Sequence, residues 1–451
     1  MAPRTKKFSF WTFADRFEGD KVVWIILLML CLISIVCMFS STSRLLEGDT
    51  TRLDLVKEQA LFVAIGLALI IALYNFMDIE KFRKLSILGF PVSFALLLML
   101  DLHIDTPVVR ALNINDAYRI LSVGGLQVHV FEVVKVAMVL YLAWALDSFK
   151  RGKLPGKKLK PIWKKIIYIY APFIITFMMV IPGSNSSALF IGAVMFLVIL
   201  LGGGNFKDLL ILAAAGVLMI GVCVGIYNIS DHKYMQRIGT AISRLSEQHD
   251  WEAQFLNSRR GSDEYQQALD KLRQPYSAKI AIHEGGLFGK GPGQSTQRYV
   301  VPDISEDYMF SFIIEEYGLF GGILVIGLYV SLLARGSIIV RNCGKNLYAK
   351  LSVAGLCLLI SGQAFLHMFV NADIGPMTGQ TLPMISHGTS AFLCFCVAFG
   401  VILTFSRIAA RRIAAETRDA ATKMEEGTSA AAASNSANTE DDGIQETKSD
   451  N

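Results

Sequence analysis

The stretch VVWIILLMLCLISIVCMFS, residues 22–40, contains no charged side chain and decides how the rest of the chain is interpreted. A helix that crosses a bilayer needs about 20 mostly apolar residues, whereas the apolar core of a signal peptide has about 7–15. We therefore interpret residues 22–40 as a retained first transmembrane helix. The small residues Ser40, Ser41 and Ser43 leave cleavage after this stretch as the alternative.

Similar apolar stretches recur along the whole chain. Of the 451 residues, 53% are hydrophobic and 18% are charged, whereas a typical soluble domain has about 25% charged residues. The sequence therefore predicts an all-α, polytopic membrane protein with about ten transmembrane helices. The predicted spans are residues 22–40, 59–77, 85–102, 128–147, 165–182, 187–203, 208–228, 307–334, 350–371 and 388–408.

Lysine and arginine are concentrated in segments that would lie on one side of the membrane. They precede the first span and follow the second, fourth, eighth and tenth spans, whereas the short loops 182–187 and 372–387 contain none. Because cytoplasmic loops carry an excess of Lys and Arg, both termini are predicted to be cytoplasmic. This topology also explains the net charge of +5, so no nucleic-acid partner is expected.

Three regions follow from this topology. Residues 1–21 form a cytoplasmic N-terminal segment, residues 22–408 the transmembrane domain, and residues 409–451 a cytoplasmic tail that is predicted to be disordered from about 421. Residues 229–306, between spans seven and eight, form a long loop on the periplasmic side. The seven cysteines lie in apolar segments or a basic loop, so no disulfide framework is implied, and no organic cofactor is expected.

A glycine-rich strip, HEGGLFGKGPG at residues 283–293, precedes the eighth span. Glycine lets the backbone turn tightly and approach a ligand closely. With the positive charges of Lys290 and Arg298 nearby, successive N–H groups could cradle a phosphate. A flexible loop is the alternative, since the strip lacks the GKS or GKT ending of a Walker motif.

Three carboxylates, Asp303, Glu306 and Asp307, lie at the predicted mouth of the eighth span. They could supply a general base, metal ligands or a solvated helix N-terminus. Glu315 and Glu316 lie two turns deeper, where a carboxylate is costly unless it faces a polar cavity or a partner. The eighth helix is therefore expected to be more than an anchor.

Polar residues also recur in the fourth and ninth spans. Glu132 and Lys135 are three residues apart and share a helix face, either as an internal ion pair or as a functional pair. In the ninth span a polar stripe repeats every four residues and is expected to face the protein interior or a cavity. Its members are Gln363, His367 and Asn371.

Residues 103–127 are neither long nor apolar enough to span a membrane. We expect this segment to lie at the outer leaflet or to dip into it. Its charged residues include Arg110, Asp116 and Arg119.

Three parts of the chain together resemble the SEDS family of peptidoglycan polymerases, the FtsW/RodA group. The most specific, GGLFGKGPGQSTQRYVVPDISEDYMFSFIIEEYGLFGG (285–322), is similar to the family pattern GGxxGxGxGxSxQ followed by LPExHTDFxFA and EExGxxG. PMTGQTLPMISHGTS (376–390) is similar to PxTGxxLPFxSYGGSS. NDAYRILSVGG (115–125) and FEVVKV (131–136) resemble GAxRWIxxG and PSExxK, and the resemblance covers about residues 20–410.

This resemblance implies a glycosyltransferase that polymerises lipid II, the lipid-linked disaccharide-pentapeptide precursor, into glycan strands. Asp307 corresponds to the family's essential carboxylate and would deprotonate the 4-hydroxyl of the acceptor sugar, which attacks the anomeric carbon of the donor while undecaprenyl pyrophosphate leaves. The pyrophosphate charge would be offset by Lys290, by Arg298, by Arg119 or by a divalent cation, Mg²⁺ or Mn²⁺, for which Asp307 is a candidate ligand. The candidate substrate-binding residues are Arg119, Glu132, Lys135, Lys290, Gln294, Ser295 and Arg298.

The chain departs from the family pattern at several accessory positions. Val130 and Phe131 replace the Pro and Ser of PSExxK, and Ser305 replaces the His of HTD. Ser184 stands where an acid is expected, and His387 replaces the Tyr of SYGG. These changes leave the catalytic carboxylate in place.

The EEYG and TGQTLP strings look closer to FtsW of the Bacteroidetes type than to RodA. The resemblance therefore implies a role in cell division with a class B penicillin-binding protein and other divisome membrane proteins, at the septum of the bacterial inner membrane. The alternatives are an elongation polymerase of the RodA type, a flippase or transporter of the same lipid, and a membrane scaffold. A flippase needs charged residues near the bilayer midplane. Residues that fit this alternative are Glu132, Lys135, Glu315 and Glu316.

Overall fold

The structure is a computed structural model, and it describes most of the chain. The described residues are 18–41, 52–114, 117–156, 158–204, 251–301, 304–375 and 378–446, together with four isolated positions between 205 and 250. The seventh predicted span, residues 208–228, and much of the predicted long loop lie outside these ranges.

Helices make up most of the described chain, as the apolar stretches predict. Their bounds are α1 Lys21–Ser41, α2 Arg52–Phe76, α3 Ile79–Ser86, α4 Gly89–Asp101, α5 Val130–Lys150, α6 Pro161–Val180, α7 Asn185–Leu201, α8 Asp263–Gly285, α9 Met309–Asn342, α10 Leu347–Asn371 and α11 Thr389–Glu446.

Among the described residues, six helices are long and apolar enough to cross a membrane. The number is seven if α3 and α4, which meet at an angle of 41°, form one bent span. The two remaining predicted spans in these ranges are also helical, but α5 carries four charged residues and α7 has only 17 residues. The polytopic α-helical fold is therefore confirmed, and the total of ten spans stays a prediction.

The interior of the bundle forms around α5 and α10. α10 packs against α5, α7, α9 and α11, and α5 also packs against α4. On the periphery, Ile25, Leu28 and Leu32 of α1 are each at least half exposed. Such a continuous apolar surface fits contact with lipid chains rather than with water.

A three-stranded antiparallel sheet occupies most of the segment that we expected to lie at the outer leaflet. The strands are β1 Val109–Ile114, β2 Ala117–Val123 and β3 Leu126–His129, in the order β1-β2-β3. Gly124 and Gly125 join β2 to β3, with φ of +57° and +89°, as a two-residue hairpin turn requires. The all-α prediction missed this sheet, because the strands are short and the segment was judged by length and apolarity alone.

Two helices differ from the predicted pattern. α9 breaks at Gly318, whose φ of 70° and ψ of −173° are not helical. α11 continues to Glu446, through residues for which we predicted a disordered tail. The Ala-rich stretch 430–433 favours helix, and the prediction gave this propensity too little weight.

Candidate functional site

A polar cavity of about 210 Å³ lies at the end of the bundle opposite the basic loops. α5, α7, α9 and α11 begin at this end, and α10 ends there. Three predicted site residues, Arg119, Glu132 and Asp307, are brought together in its lining. The ionisable side chains that line the cavity are Arg119, His129, Glu132, Glu306, Asp307 and His387.

Asp307 lies two residues before α9 and is held through its main chain. The Asn371 amide donates a hydrogen bond to the Asp307 carbonyl oxygen over 3.0 Å. Gly379 has a φ of +62°, and a Cβ there would lie 3.6 Å from Asp307 Oδ2 and 3.9 Å from Arg119 Nη1. Arg119 is itself oriented by donating from Nε to the Gly183 carbonyl over 3.1 Å. A carboxylate and a guanidinium therefore lie beside the same glycine, facing one cavity.

The polar stripe of α10 connects the start of α9 to the loop that follows α10. His367 is buried, and its Nε2 accepts a hydrogen bond from Phe310 N over 3.3 Å. Its Nδ1 must then carry the proton, which it donates to the Gln380 carbonyl over 2.7 Å. Asn371 accepts from Ser311 N over 2.9 Å. The prediction that this stripe faces the interior is confirmed, and its role is to position the chain on both sides of the cavity.

Lys135 forms the polar floor below the cavity. Its ammonium group donates to Glu132 Oε1 over 2.6 Å, to Gln363 Oε1 over 2.7 Å and to Gln380 Oε1 over 2.9 Å. The second carboxylate oxygen of Glu132 is buried and has no hydrogen-bond partner among the described residues. Because Glu132 lines the cavity, this oxygen is available to accept a hydrogen bond from a substrate hydroxyl or amide.

Two departures from the family pattern meet at the rim of the cavity. The His387 main-chain N–H donates to the Ser305 carbonyl over 2.9 Å. His387 Nδ1 lies 3.7 Å from Glu306 Oε1. An imidazole therefore lies at this rim, but it belongs to His387 in the loop after α10 and not to residue 305.

Two further departures, Ser184 and Phe131, have structural roles at the edge of the cavity. Ser184 is the N-cap of α7, and its hydroxyl accepts a hydrogen bond from Ser187 N over 3.2 Å. Phe131 packs onto Gly183, where an added Cβ would lie 2.4 Å from Phe131 Cζ. Phe131 is accommodated because residue 183, in the turn before α7, is glycine.

The glycine-rich strip folds back onto the break in α9. Lys290 N and Gly291 N donate to the carbonyl oxygens of Glu315 and Glu316 over 2.8 and 3.0 Å. A Cβ at Gly289 would lie 2.2 Å from the Glu316 carbonyl oxygen. These N–H groups are therefore occupied by α9, and neither a phosphate cradle nor a flexible loop describes this part of the strip.

Lys290 of the strip and Arg298, which follows the strip, pair with the two buried carboxylates of α9. Glu315 accepts hydrogen bonds from Lys290 Nζ over 2.7 Å and from the Ser295 hydroxyl. Arg298 Nη1 lies 3.9 Å from Glu316 Oε1. Glu315 and Glu316 were expected to face a polar cavity or a partner, and the glycine-rich strip is that partner.

This pairing separates four predicted substrate ligands from the cavity. Partial burial alone would lower the pKa of Lys290, but hydrogen bonds to Glu284 and Glu315 outweigh it and raise the pKa. Gln294 is exposed in the turn that follows. None of the described residues that line the cavity belongs to this strip. The structure therefore gives Lys290, Gln294, Ser295 and Arg298 no contact with the cavity around Asp307.

The cavity offers carboxylates but no complete metal cage. In the part of the chain that the structure describes, no three His, Cys, Asp or Glu side chains are grouped to hold a metal ion. Asp303, one of the predicted carboxylates, lies outside that part. Mg²⁺ commonly binds through one or two carboxylates together with substrate phosphates. Asp307 and Glu306 therefore fit a cation that arrives with a pyrophosphate.

Sequence reasoning missed His129, Gln380 and Gly379, which complete the cavity. His129 lies at the end of β3, so its position depends on the sheet that was not predicted. Gly379 and Gln380 belong to the TGQ string, whose resemblance to the family pattern assigns neither residue a role. The signal that could have found these residues is a polar loop, free of Lys and Arg, on the same side as Asp307.

The apolar helices define a multi-pass membrane protein. Its polar site is the cavity at one end of the bundle, where a carboxylate and an arginine lie together. The family model described as "Cell cycle protein", for FtsW, RodA and SpoVE, matches residues 20–411. The chain belongs to this family.

Individual relatives match this chain over most of their own length. The probable peptidoglycan glycosyltransferase FtsW of Coxiella burnetii is 28% identical over 389 residues, which cover 84% of this chain and 94% of the relative. Stage V sporulation protein E of Bacillus subtilis is 26% identical over 399 residues, covering 86% and 97%.

Two solved structures share the fold. A chain from a peptidoglycan synthase complex, studied for its coordination of polymerization and crosslinking, superposes with a TM-score of 0.63 at 19% identity and covers 87% of this chain and 98% of that one. The crystal structure of the rod shape determining protein RodA of Thermus thermophilus gives 0.54 at 21% identity, covering 86% and 97%.

Proposed function

We propose that the chain is a peptidoglycan glycosyltransferase that transfers disaccharide-pentapeptide units from lipid II to a growing glycan strand. The observation that carries this proposal is the meeting of Asp307, Arg119 and Glu132 in one polar cavity at the end of the bundle opposite the basic loops. If the basic loops are cytoplasmic, the cavity faces the periplasm, where the sugar of lipid II is exposed. The names of relatives described as probable peptidoglycan glycosyltransferases support the same reaction.

In the proposed reaction, Asp307 acts as general base. Its carboxylate accepts the proton of the acceptor 4-hydroxyl, and the oxygen forms a bond to the anomeric carbon of the donor. The bond between that carbon and the pyrophosphate oxygen breaks, and undecaprenyl pyrophosphate leaves with the electron pair. Arg119 stabilises the charge that develops in the cavity. The open oxygen of Glu132 accepts a hydrogen bond from the bound sugar or peptide.

A divalent cation is part of the proposal. Asp307, with Glu306 beside it, would hold the cation against the pyrophosphate, and the bound cation would supply positive charge that offsets the leaving group. No other protein ligand is required for this role.

The proposed setting is the division septum of the bacterial inner membrane. The FtsW names among the relatives favour division over elongation. The structural similarity to a chain of a peptidoglycan synthase complex supports a class B penicillin-binding protein as partner. Other divisome membrane proteins are proposed as further partners.

The test uses the purified protein with its transpeptidase partner, fluorescent lipid II and Mg²⁺ or Mn²⁺. Glycan ladders on a gel are the expected product. A parallel assay follows transfer of fluorescent lipid II across vesicle membranes. Lipid transfer without ladders would refute the proposal and favour a flippase, which the buried Glu132–Lys135 pair would then serve.

A further inference from the structure

A second cavity lies at the opposite, basic end of the bundle. Its volume is about 60 Å³, and it is formed where α5 ends, α6 begins and α7 ends. Lys150 and Lys165 provide its charge, and Gly202, Gly203 and Gly204 form one wall. None of the described residues that line it is acidic.

Positive charge dominates this end of the bundle well beyond the cavity. Residues 150–165 contain eight Lys and Arg residues, and no Asp or Glu occurs anywhere between residues 148 and 207. In the described part of the chain, Arg151 has a partner in Asp147 of α5, at 3.0 Å. The cavity is therefore placed in a field that attracts anions.

The two lysines of the cavity are held in different ways. Lys165 Nζ lies 5.5 Å from the centre of the Phe149 ring, which fixes its direction. Lys150 makes no hydrogen bond or ion pair with any residue in the described ranges. Its ammonium group lies close to the glycine wall, since a Cβ at Gly203 would be 2.8 Å from Lys150 Nζ. An ammonium group so placed is available to an incoming anion.

The backbone of α6 is irregular at this cavity. Residues Ile166–Tyr170 form a π-helical turn directly after Lys165. Such turns are rare in proteins, and a large share of those that occur lie at functional sites. Just before it, Trp163 is 53% exposed. An exposed tryptophan at the end of an apolar helix is typical of the membrane–water interface, which is the level of phospholipid headgroups.

We propose that this cavity binds the phosphate group of an anionic phospholipid of the leaflet on the basic side. A cavity of about 60 Å³ admits a group of a few heavy atoms and excludes a nucleotide. Acyl chains can lie along the exposed Ile162, Ile166 and Ile167 of α6. A zwitterionic lipid carries its own ammonium group, which the two lysines repel, so an anionic lipid is selected.

The bound lipid would join three helix ends. α5 carries Glu132 at its far end, and α7 carries the Ser184 cap at its far end, both beside the Asp307 cavity. A ligand that binds only the folded bundle stabilises it by mass action. Anionic lipid is therefore expected to raise the thermal stability of the whole protein.

The experiment measures lipids retained by the full-length protein, purified from nanodiscs of phosphatidylcholine with increasing phosphatidylglycerol, by native mass spectrometry. K150Q/K165Q is compared with K153Q/K158Q, which removes the same charge from the same segment outside the cavity lining. We expect K150Q/K165Q to lose about tenfold more phosphatidylglycerol affinity than K153Q/K158Q, because each cavity lysine also gives up a charge-assisted hydrogen bond to the phosphate, beyond the general surface attraction that all four lysines contribute.

Two results would overturn the proposal. Equal losses in both double variants would mean that the basic surface attracts lipid without a defined site. Competition by millimolar inorganic phosphate as effective as that by lipid would mean a phosphate site without lipid selection. If K150Q/K165Q does not purify as a folded protein, K150Q and K153Q make the same comparison, because Lys150 has no described partner to lose.

Discussion

Lys135 shows how a single buried charge sets the position of the cavity around Asp307. Its side chain is 1% exposed and lies among the oxygens of Glu132, Gln363 and Gln380. These acceptors come from α5 itself, from α10 and from the loop that carries Gly379. The ammonium group therefore joins three elements at the floor of the cavity, and removing it leaves a buried carboxylate without its counter-charge.

We predict that Lys135→Met lowers the free energy of unfolding by about 3–5 kcal/mol, the usual effect of removing one partner from a buried ion pair. The double variant E132Q/K135M should recover part of that loss, because no buried charge is left unpaired. Thermal and denaturant unfolding in detergent measure both. Lys57→Met is the matched control, since the exposed Lys57–Asp54 pair contributes less than about 1 kcal/mol. Equal stability of K135M and K57M would contradict the assigned role of Lys135.

The candidate site was predicted from sequence where a charged residue lay at an unusual place, either in or beside an apolar span or within a motif of the family resemblance. Asp307 at the mouth of α9 and Glu132 inside α5 stood out in this way, and both line the cavity. Lys290 and Arg298 carried the same kind of signal, but they pair with Glu315 and Glu316. Sequence alone could not separate the two groups, because the fold-back of the glycine-rich strip depends on a tertiary contact with α9.

At the scale of elements, the glycine-rich strip and the break in α9 form one unit. Leu319 N donates to the Gly286 carbonyl over 2.9 Å. The strip therefore supplies the acceptor that a carbonyl of α9 would supply if the helix were unbroken. A Cβ at Gly318 would lie 2.2 Å from the Leu287 carbonyl oxygen. The two backbones approach this closely only because glycine occupies both sides. This unit also fixes the start of α9, and hence Asp307.

Gly289 and Gly293 give a matched test of this contact. Both have a φ of +78°, but a Cβ at Gly289 would lie 2.2 Å from the Glu316 carbonyl oxygen, whereas at Gly293 nothing lies within 4 Å. Both alanine substitutions strain the backbone equally, so the difference between them isolates the clash. We predict that G289A is less stable than G293A by at least about 2 kcal/mol and polymerises lipid II more slowly. Indistinguishable unfolding curves would show that the strip does not depend on close approach.

Most helices were predictable because each is a long apolar run bounded by charge, and hydrocarbon solvent allows few alternatives. The sheet was not, since β1 to β3 have only four to seven residues each. Its clearest local signal is Gly124–Gly125 between Val123 and Leu126, which are paired in the sheet. The bend between α3 and α4 was also missed, although Pro91 in the first turn of α4 signals it, because proline has no N–H to donate to the Ile87 carbonyl one turn earlier.

At the scale of the whole molecule, the account depends on which side of the membrane each end of the bundle faces. The cavity around Asp307 and the basic cavity around Lys150 lie at opposite ends. The first must face the periplasm for glycan synthesis, and the second then faces the cytoplasm.

Single-cysteine labelling in intact cells measures this sidedness. Phe288 is 80% exposed in the glycine-rich strip, and Lys153 is exposed in the basic loop. We predict that a membrane-impermeant maleimide labels F288C from outside, and labels K153C only after the membrane is permeabilised. The variant background should have its native cysteines replaced. Labelling of K153C but not F288C in intact cells would invert the topology and exclude the proposed reaction.

The most direct test of the central claim is the initial rate of glycan synthesis from lipid II by D307N. The control is D105N, because Asp105 is an exposed carboxylate paired with Arg110 outside the cavity. Loss of a general base lowers the rate by about 10²–10⁴-fold. We predict a fall of this size for D307N with lipid II binding retained, and a normal rate for D105N. A D307N protein that polymerises lipid II at the unmodified rate would contradict the assignment of Asp307 as the catalytic base.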